Sequence, residues 1–296
     1  MHPRTPPGPA AIALMVLLCA VWGFQQITVK VALTGISPIL QGGVRSVIAT
    51  MLLLGWVYWR GLPLFQRDGS LFPGLLAGFM FALEFSFIFL GLSYTNASRM
   101  VVFLYTAPCF TVLGLHWYVA GERLEAHHWL GVGLAFVGIA FAFADGWEQG
   151  GHWIGDVCGL LAAIVWAATT VLIRATPLAR ISAAKVLLYQ LGISALVMPP
   201  LSWLVGETGL TALTPAVLLA IAYQAVIVAF ASYLIWFWLL TRYLANRLIV
   251  FSFLTPLFGV AFGVLLLAER LSVAFGLAAL LVVAGIGLVN APSSKA

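Results

Sequence analysis

The stretch ASRMVVFLYTAPCFTVLGLHWYVAGERL, residues 97–124, returns in altered form as ANRLIVFSFLTPLFGVAFGVLLLAERL, residues 245–271. The two stretches share an arginine, a phenylalanine and a proline at one fixed offset, and after a one-residue gap they share Glu-Arg-Leu. The matched single residues are Arg99, Phe103 and Pro108 in the first stretch and Arg247, Phe251 and Pro256 in the second. Self-similarity of this kind indicates a chain built from two related halves.

The composition places both halves in a membrane. Of the 296 residues, 63% are hydrophobic and 8% are charged, and the mean hydropathy is +1.08. A soluble domain carries about 25% charged residues, so a chain this poor in charge uses lipid as its solvent. The net charge of +5 comes from basic residues that stand singly at segment ends, without a basic run or stripe. This pattern argues against nucleic acid as a partner.

Apolar runs between breaking residues predict ten transmembrane helices. The runs lie near 10–30, 38–59, 71–92, 97–119, 128–144, 154–175, 183–205, 216–240, 246–268 and 272–290. Each is near the ~20 residues that a spanning helix needs. The predicted fold is therefore all-α, with residues 1–148 as a first five-helix repeat and residues 149–296 as a second. Because five is odd, the second repeat is inverted, as in many secondary transporters.

The basic residues also predict the orientation. With both termini inside, ten cations lie on the cytoplasmic side and four, Lys30, Arg45, Arg99 and Arg270, lie on the outer side. This is the direction of the positive-inside rule. We therefore expect a multi-pass protein of a bacterial-type inner membrane, with cytoplasmic termini and an uncleaved first span.

The order of these elements resembles the EamA-type drug/metabolite transporter superfamily. The order is a Trp-rich first span, an Ala-Ser/Asn-Arg helix with a central proline, then Glu-Arg-Leu and a Gly-rich helix, and it occurs twice. Glu84 followed by FSFIFLGLSYT is similar to the third span of YddG-type amino-acid exporters. The resemblance implies an export carrier for amino acids with a central cavity lined by spans 1, 3, 4, 6, 8 and 9.

Two polar stripes with a four-residue spacing share a helix face in each half. They are Trp22, Gln26 and Lys30 in the first half and Trp166, Thr170 and Arg174 in the second. We interpret the two tryptophans as a pseudo-symmetric pair lining a cavity, with Lys30 and Arg174 as cations at the outer and inner mouths. The alternative is interior packing with two snorkelling side chains at helix ends.

Glu84 is the one acidic residue deep in a predicted span. A carboxyl group at that depth should face a cavity or a partner, or be protonated. We therefore hypothesise that it couples protons to transport or binds a substrate amine. The alternative is a structural hydrogen bond to a neighbouring Ser, Tyr or Gln.

Pro108 and Pro256 lie near the middle of matched helices, where a proline frees a backbone carbonyl and allows a bend. We predict hinges there, against the alternative of static kinks. Tyr105 and Phe253 lie three residues before the prolines, and Tyr233 matches Phe85, so all three aromatic residues Tyr105, Phe253 and Tyr233 are cavity candidates.

The sequence has no signature of an enzyme, a cofactor site or a metal site. It has no GxSxG, HExxH or phosphate loop, and its three cysteines stand alone in apolar segments. The best-supported function is a secondary carrier for small metabolites, with proton coupling as an option. The alternatives are a multidrug or other metabolite exporter of the same fold, a membrane-embedded lipid-modifying enzyme or a receptor. The Gly-rich fifth and tenth spans could pack against each other or against a second protomer.

Overall fold

The computed structural model describes residues 8–62, 64, 66, 68–118, 125–148, 152–243 and 250–289. The side chains of 146–148, 237, 240–242, 250 and 253 are outside the description. The first half contains α1 (Pro9–Ala32), α2 (Pro38–Trp59), α3 (Leu71–Gly91), α4 (Ala97–Leu104), α5 (Ala107–Tyr118) and α6 (Ala126–Glu148). The second half contains α7 (Trp153–Ala175), α8 (Ala183–Leu204), α9 (Pro215–Ala222), α10 (Tyr233–Arg242), α11 (Leu254–Leu267) and α12 (Val273–Val289).

Eight helical segments within the described ranges are long and apolar enough to cross a membrane. α4 and α5 count as one of them, and so does Pro215–Trp236, in which a π-helical stretch, Tyr223–Ser232, joins α9 to α10. α11 and α12 are apolar but shorter, at 14 and 17 residues. The structure is therefore that of an all-helical membrane protein. The ninth predicted span begins at residue 246, outside the described residues.

The helix of the fourth predicted span is broken in its middle. α4 ends at Leu104, and α5 begins at Ala107, one residue before Pro108. A proline at this position has no N–H for the carbonyl of Leu104, so the α-helical ladder cannot run through it. In the other half a 3₁₀ turn, Val250–Phe253, leads into α11, whose third residue is Pro256. A helix break thus lies beside Pro108, and a change from a 3₁₀ turn to an α-helix lies beside Pro256.

One end of the bundle gathers the connections that the sequence analysis predicts to be outside. A cavity of about 880 Å³ there is lined by Lys30 of α1 and by residues that follow α1, α3, α8 and α11, including Thr34, Asn96, Thr208 and Glu269. We call this end the predicted outer face. At the opposite end, Lys185 at the start of α8 binds Asp68, which lies between α2 and α3, with an N–O distance of 2.8 Å.

Arg99, at the start of α4, joins three helices near the predicted outer face. Its guanidinium is 2% exposed and pairs with Asp145 of α6, at 2.7 Å, and with Asp156 of α7. It also donates to the carbonyl of Ala142. Arg99, which counts among the outer cations in the sequence analysis, is thus buried within the bundle and paired with the two aspartates. The opposite charges neutralise one another there, which makes burial tolerable.

The Gly-rich α6 and α12 pack against each other along the chain's own interface. A Cβ on Gly131 would lie 2.7 Å from the Gly285 carbonyl oxygen, and a Cβ on Gly138 would lie 2.7 Å from that of Ala278. Because glycine has no side chain, the backbones of α6 and α12 can approach each other closely at these positions. Gly133 and Gly287 face open space instead. Of the two alternatives for these spans, packing against each other is the one that the structure contains.

Helices of the two halves pack across one another throughout the bundle. α2 packs on α8, α3 packs on both α7 and α8, α1 packs on α11, and α5 packs on α7. The largest buried apolar cluster takes side chains from nearly all of these helices, including Phe89, Phe103 and Leu191. This packing brings side chains from both halves to the middle of the bundle.

Candidate functional site

The middle of the bundle contains a buried acid and a buried base on adjacent helices. Glu84 of α3 is 5% exposed, and Arg45 of α2 is 1% exposed. The two side chains interact electrostatically, but no N–O contact within 4.0 Å joins them among the described residues. A charge at this depth is costly unless it is paired or functional. Glu84 therefore has a cationic neighbour instead of the Ser, Tyr or Gln hydrogen bond considered from sequence.

Arg45 is held by aromatic rings more than by hydrogen bonds. Its guanidinium carbon lies 3.9 Å from the centroid of Phe85 and 5.9 Å from that of Phe89. The guanidinium also faces the phenol of Tyr233. Within the described part of the chain, none of its three nitrogens has a hydrogen-bond partner. The planar fork of five N–H donors thus has the Tyr233 hydroxyl near it, but among the described residues no acceptor meets it in full hydrogen-bond geometry.

Tyr105, the residue after the end of α4, borders another side of the same site. It is 6% exposed, and its ring meets the Trp166 ring of α7 edge to face, with centroids 5.5 Å apart. The hydroxyl of Thr255 in α11 adjoins both the Tyr105 phenol and the thiol of Cys19 in α1. Among the residues predicted from sequence, the structure therefore brings together Glu84, Tyr105, Trp166 and Tyr233.

Trp22 lies in a different environment from its matched residue Trp166. Its indole nitrogen donates to the Ser232 hydroxyl at 2.9 Å, and its ring meets Trp236 edge to face at 6.0 Å. It packs in a separate apolar cluster that includes Met15 and Leu239. Within the described ring contacts, Trp22 and Trp166 do not touch each other. The predicted pair thus contacts two different sets of neighbours.

The remaining polar candidates lie along the two stripes. Gln26 is 2% exposed, and its side-chain oxygen has no hydrogen-bond partner in the described ranges. The Thr170 hydroxyl donates to the Trp166 carbonyl at 3.0 Å. Lys30 lines the cavity at the predicted outer face and donates to the carbonyls of Leu92 and Thr95 at 3.0 and 2.8 Å. Arg174 is exposed near the end of α7.

The two prolines and the last aromatic candidate complete the set. Pro256 is buried in α11, and Pro108 is half-buried in α5. The side chain of Phe253 lies outside the described residues, so its predicted place at the cavity stays a prediction. No group of three His, Cys, Asp or Glu side chains that could hold a metal ion occurs in the part of the chain that the structure describes.

Arg45 is a site residue that was not predicted from the sequence. It was counted only among the outer cations, although it is the eighth residue of the predicted span 38–59. That depth is the signal that could have found it, because a cation well inside a span is rare and marks a functional candidate.

Comparison with known proteins agrees with this architecture. The family model described as "EamA-like transporter family" matches the chain twice, over residues 9–144 and 153–291. A "probable amino-acid metabolite efflux pump" of Escherichia coli is 26% identical over 284 residues, which is 92% of each chain. Its namesake in Salmonella typhimurium is also 26% identical, over 285 residues and 92% of each chain. An uncharacterized transporter of Archaeoglobus fulgidus is 24% identical over 94% of this chain and 96% of its own.

A solved crystal structure has the same fold, with a TM-score of 0.66 and 18% sequence identity over 97% of this chain and 98% of the other. The family matches together cover nearly the whole sequence, and the names of the relatives point to transport and not to catalysis. The chain is a multi-pass membrane protein that belongs to the EamA-like transporter family.

Proposed function

We propose that this protein is a secondary carrier that exports amino acids, chiefly neutral and aromatic ones, by alternating access. The observation that carries the proposal is the centre of the bundle, where a few buried polar groups, Glu84 and Arg45 among them, stand between aromatic rings. A mostly apolar site with few polar groups suits a small amphipathic substrate. The two relatives named as probable amino-acid metabolite efflux pumps support the same substrate class.

The proposed architecture is ten crossings in two inverted repeats. Support comes from the connections, since those after α1, α3, α8 and α11 gather at one end and Asp68 and Lys185 meet at the other. Equivalent packing also supports it. α1 and α7 are the first helices of the two halves, α5 and α11 contain the matched prolines, and each first helix packs on the proline helix of the other half: α1 on α11 and α7 on α5. The two family matches, over residues 9–144 and 153–291, also meet around the predicted boundary between the repeats at residue 148. The charge distribution then assigns both termini to the cytoplasm of an inner membrane.

In the proposed mechanism the halves rock so that the central site opens to each face in turn. The helix break beside Pro108 and the 3₁₀ turn before Pro256 are the flexible points. Trp166, Tyr105 and Tyr233 form the apolar surface of the central site, and Gln26, Thr170 and Glu84 supply polar contacts. Trp22 and Phe253 are candidates for contact with the substrate along its path. Lys30 and Arg174 steer the substrate at the two mouths.

Glu84 is the proposed proton-coupling group. The charged or titratable side chains that face it are Arg45, Tyr105 and Tyr233. Replacing Glu84 with glutamine leaves a group of the same shape that cannot titrate. Transport by Glu84→Gln should therefore lose its dependence on a pH gradient, and an unchanged dependence would remove this residue from the mechanism.

Counterflow in proteoliposomes tests the function. Vesicles are loaded with one unlabelled amino acid at a time, and the entry of labelled phenylalanine is followed. We expect accelerated entry for the wild type and little for Trp166→Ala. Trp203→Ala is the matched control, because Trp203 is 79% exposed at the end of α8 and should retain transport.

Two other results would redirect the assignment. Sealed vesicles that exchange no amino acid but carry bulky hydrophobic cations would favour a multidrug exporter of the same fold. Turnover of a lipid headgroup or acyl chain by the purified protein, without flux, would favour a membrane-embedded enzyme.

A further inference from the structure

Two arginines are deeply buried in the part of the chain that the structure describes, and their surroundings differ. Arg99 is 2% exposed, and it donates to two aspartates and to a backbone carbonyl. Arg45 is 1% exposed, and none of its nitrogens has a hydrogen-bond partner in the described part of the chain. Both guanidinium groups rest on a phenylalanine ring, Phe275 at 4.7 Å and Phe85 at 3.9 Å. Only Arg99 is bound as a structural cation.

An unsatisfied guanidinium is an expensive feature to keep in a membrane-embedded core. Burial of a polar group without hydrogen bonds is strongly unfavourable, and more so for a charged group. The planar fork of an arginine matches a carboxylate in two parallel hydrogen bonds. The donors of Arg45 thus have the shape that binds a carboxylate, and no side chain in the described ranges binds them in this way.

Glu84 is the acid nearest to these donors, yet it does not occupy them. The separation beyond 4.0 Å leaves the two charges as neighbours and not as a closed ion pair. Tyr105, Tyr233 and Trp166 border the same region with apolar ring surface. A buried cation, a buried acid and aromatic walls together form a site with three chemically different parts.

The charged pair is confined to the first half. Tyr233 matches Phe85, so Ser232 stands where Glu84 stands, and Ser232 accepts a hydrogen bond from Trp22. The site therefore has one defined orientation, with no second copy related by the pseudo-symmetry.

We propose that Arg45 binds the carboxylate, and Glu84 the ammonium group, of one zwitterionic amino acid. This inference rests on the proposed function and adds the two residues that bind the carboxylate and the ammonium group of the substrate. The aromatic rings receive its side chain, so the site recognises the common part of amino acids and tolerates variation in the rest.

Three compounds separate the two contacts: phenylalanine, phenylalaninamide, which lacks the carboxylate, and 3-phenylpropionate, which lacks the ammonium. Each competes with labelled phenylalanine in counterflow. For the wild type we expect both analogues to compete about 10- to 100-fold less well than phenylalanine, because each leaves one buried charge without its partner.

Two variants assign each contact to its residue. Arg45→Gln should weaken competition by phenylalanine about 10- to 100-fold and leave competition by phenylalaninamide unchanged. Glu84→Gln should also weaken competition by phenylalanine about 10- to 100-fold, but leave competition by 3-phenylpropionate unchanged. Arg60→Gln, an exposed arginine at the end of α2, is the matched control and should change none of the three.

Each outcome decides a separate question. A wild type that does not distinguish phenylalanine from both analogues overturns the inference, even if the variants do not fold. Equal losses for all three compounds in Arg45→Gln also overturn it, since a purely structural role predicts that result. A wild type that exchanges no amino acid at all refutes the proposed function itself.

Discussion

The guanidinium carbon of Arg45 lies 3.9 Å from the centroid of the Phe85 ring, and the residue before this phenylalanine is Glu84. One turn of α3 therefore presents to the same arginine both an aromatic face and a carboxyl group. Cation–π attraction is worth about 2 kcal/mol or more where the cation is desolvated. The ring thus stabilises a buried charge that hydrogen bonds within the described chain do not.

Phe85→Leu should destabilise the protein more than Phe89→Leu. Both changes remove a ring from α3, but the Phe89 centroid is 5.9 Å from the Arg45 carbon. We expect a difference of about 1 kcal/mol in the free energy of unfolding, measured by denaturation in detergent micelles. Burial alone predicts the reverse order, since Phe89 is 0% exposed and Phe85 is 5% exposed. Equal or reversed losses would therefore exclude a cation–π contribution.

Arg99→Gln should be among the most destabilising single changes in this protein. It leaves Asp145 and Asp156 buried without their cation, and breaking a buried ion pair costs about 3–5 kcal/mol. Adding Asp156→Asn should recover part of the loss, because one uncompensated charge is then removed. Unfolding of the two single variants and the double variant measures this coupling. Strict additivity of the two losses would contradict the network.

Two glutamates cap helices of the opposite half at the predicted outer face. Glu269 accepts from the backbone N–H groups of Ala97 and Ser98 at 2.7 and 3.0 Å. Glu207 accepts from those of Ile39 and Leu40 at 2.9 and 3.1 Å. These N–H groups have no partner within their own helices, so the carboxylates stabilise α4 and α2.

Glu269→Gln and Glu207→Gln should each cost about 1–2 kcal/mol in the free energy of unfolding. A glutamine keeps one acceptor oxygen but loses the charge and the second acceptor. Arg270→Gln, the exposed neighbour of Glu269, is the control and should be nearly neutral. Thermal unfolding of the purified variants checks the order. A control as harmful as either glutamate variant would speak against the caps.

Gly285→Ala and Gly287→Ala should change stability in opposite directions. A Cβ at Gly285 would lie 2.7 Å from the Ala135 nitrogen, whereas a Cβ at Gly287 meets nothing within 4 Å. We expect a loss of about 1–3 kcal/mol at Gly285 from overpacking against α6. At Gly287 we expect a gain of roughly 0.5–1 kcal/mol from the helix propensity of alanine. Resistance to heat in detergent is the measurement, and a loss at both positions would contradict the described interface.

The contact between Asp68 and Lys185 should make stability depend on acid pH. The Lys185 ammonium, with further help from Ser70, lowers the pKa of the Asp68 carboxyl from 3.8 to about 2. A carboxyl whose pKa is lower in the folded state stabilises the fold above its unfolded pKa. This contribution is therefore complete near neutral pH and disappears as the pH falls from about 4 to about 2.

Wild type and Asp68→Asn, unfolded at pH 6 and at pH 3, test this prediction. The stability difference between them should shrink at the lower pH, and in a Lys185→Gln background it should be small at both. A difference of the same size at pH 3 as at pH 6 would show that the pair does not stabilise the folded state.

Sequence reasoning succeeded where the property is local or one-dimensional. The break beside Pro108 was predicted because a missing N–H acts on its own helix. Glu84 was found by its depth in a span, Tyr105 by its position before Pro108, and Tyr233 by its match to Phe85. None of these signals shows that the three side chains lie together. The site role of Arg45 was not predicted because this arginine entered only the charge count, and the ion pairs of Arg99 were not predicted because its two aspartates lie 46 and 57 residues away.

The sequence by itself determined that the chain is an all-helical membrane protein of two related halves in this transporter family. Composition and internal repeats are properties of the sequence and do not depend on how the chain folds. Only the tertiary structure decided that Arg45 stands beside Glu84, that Trp22 and Trp166 have different neighbours, and that Gly131 meets Gly285. The physical reason is that lipid is as apolar as the protein interior. The apolar side chains of a spanning helix therefore do not reveal which face turns inward, and that rotation is settled by packing.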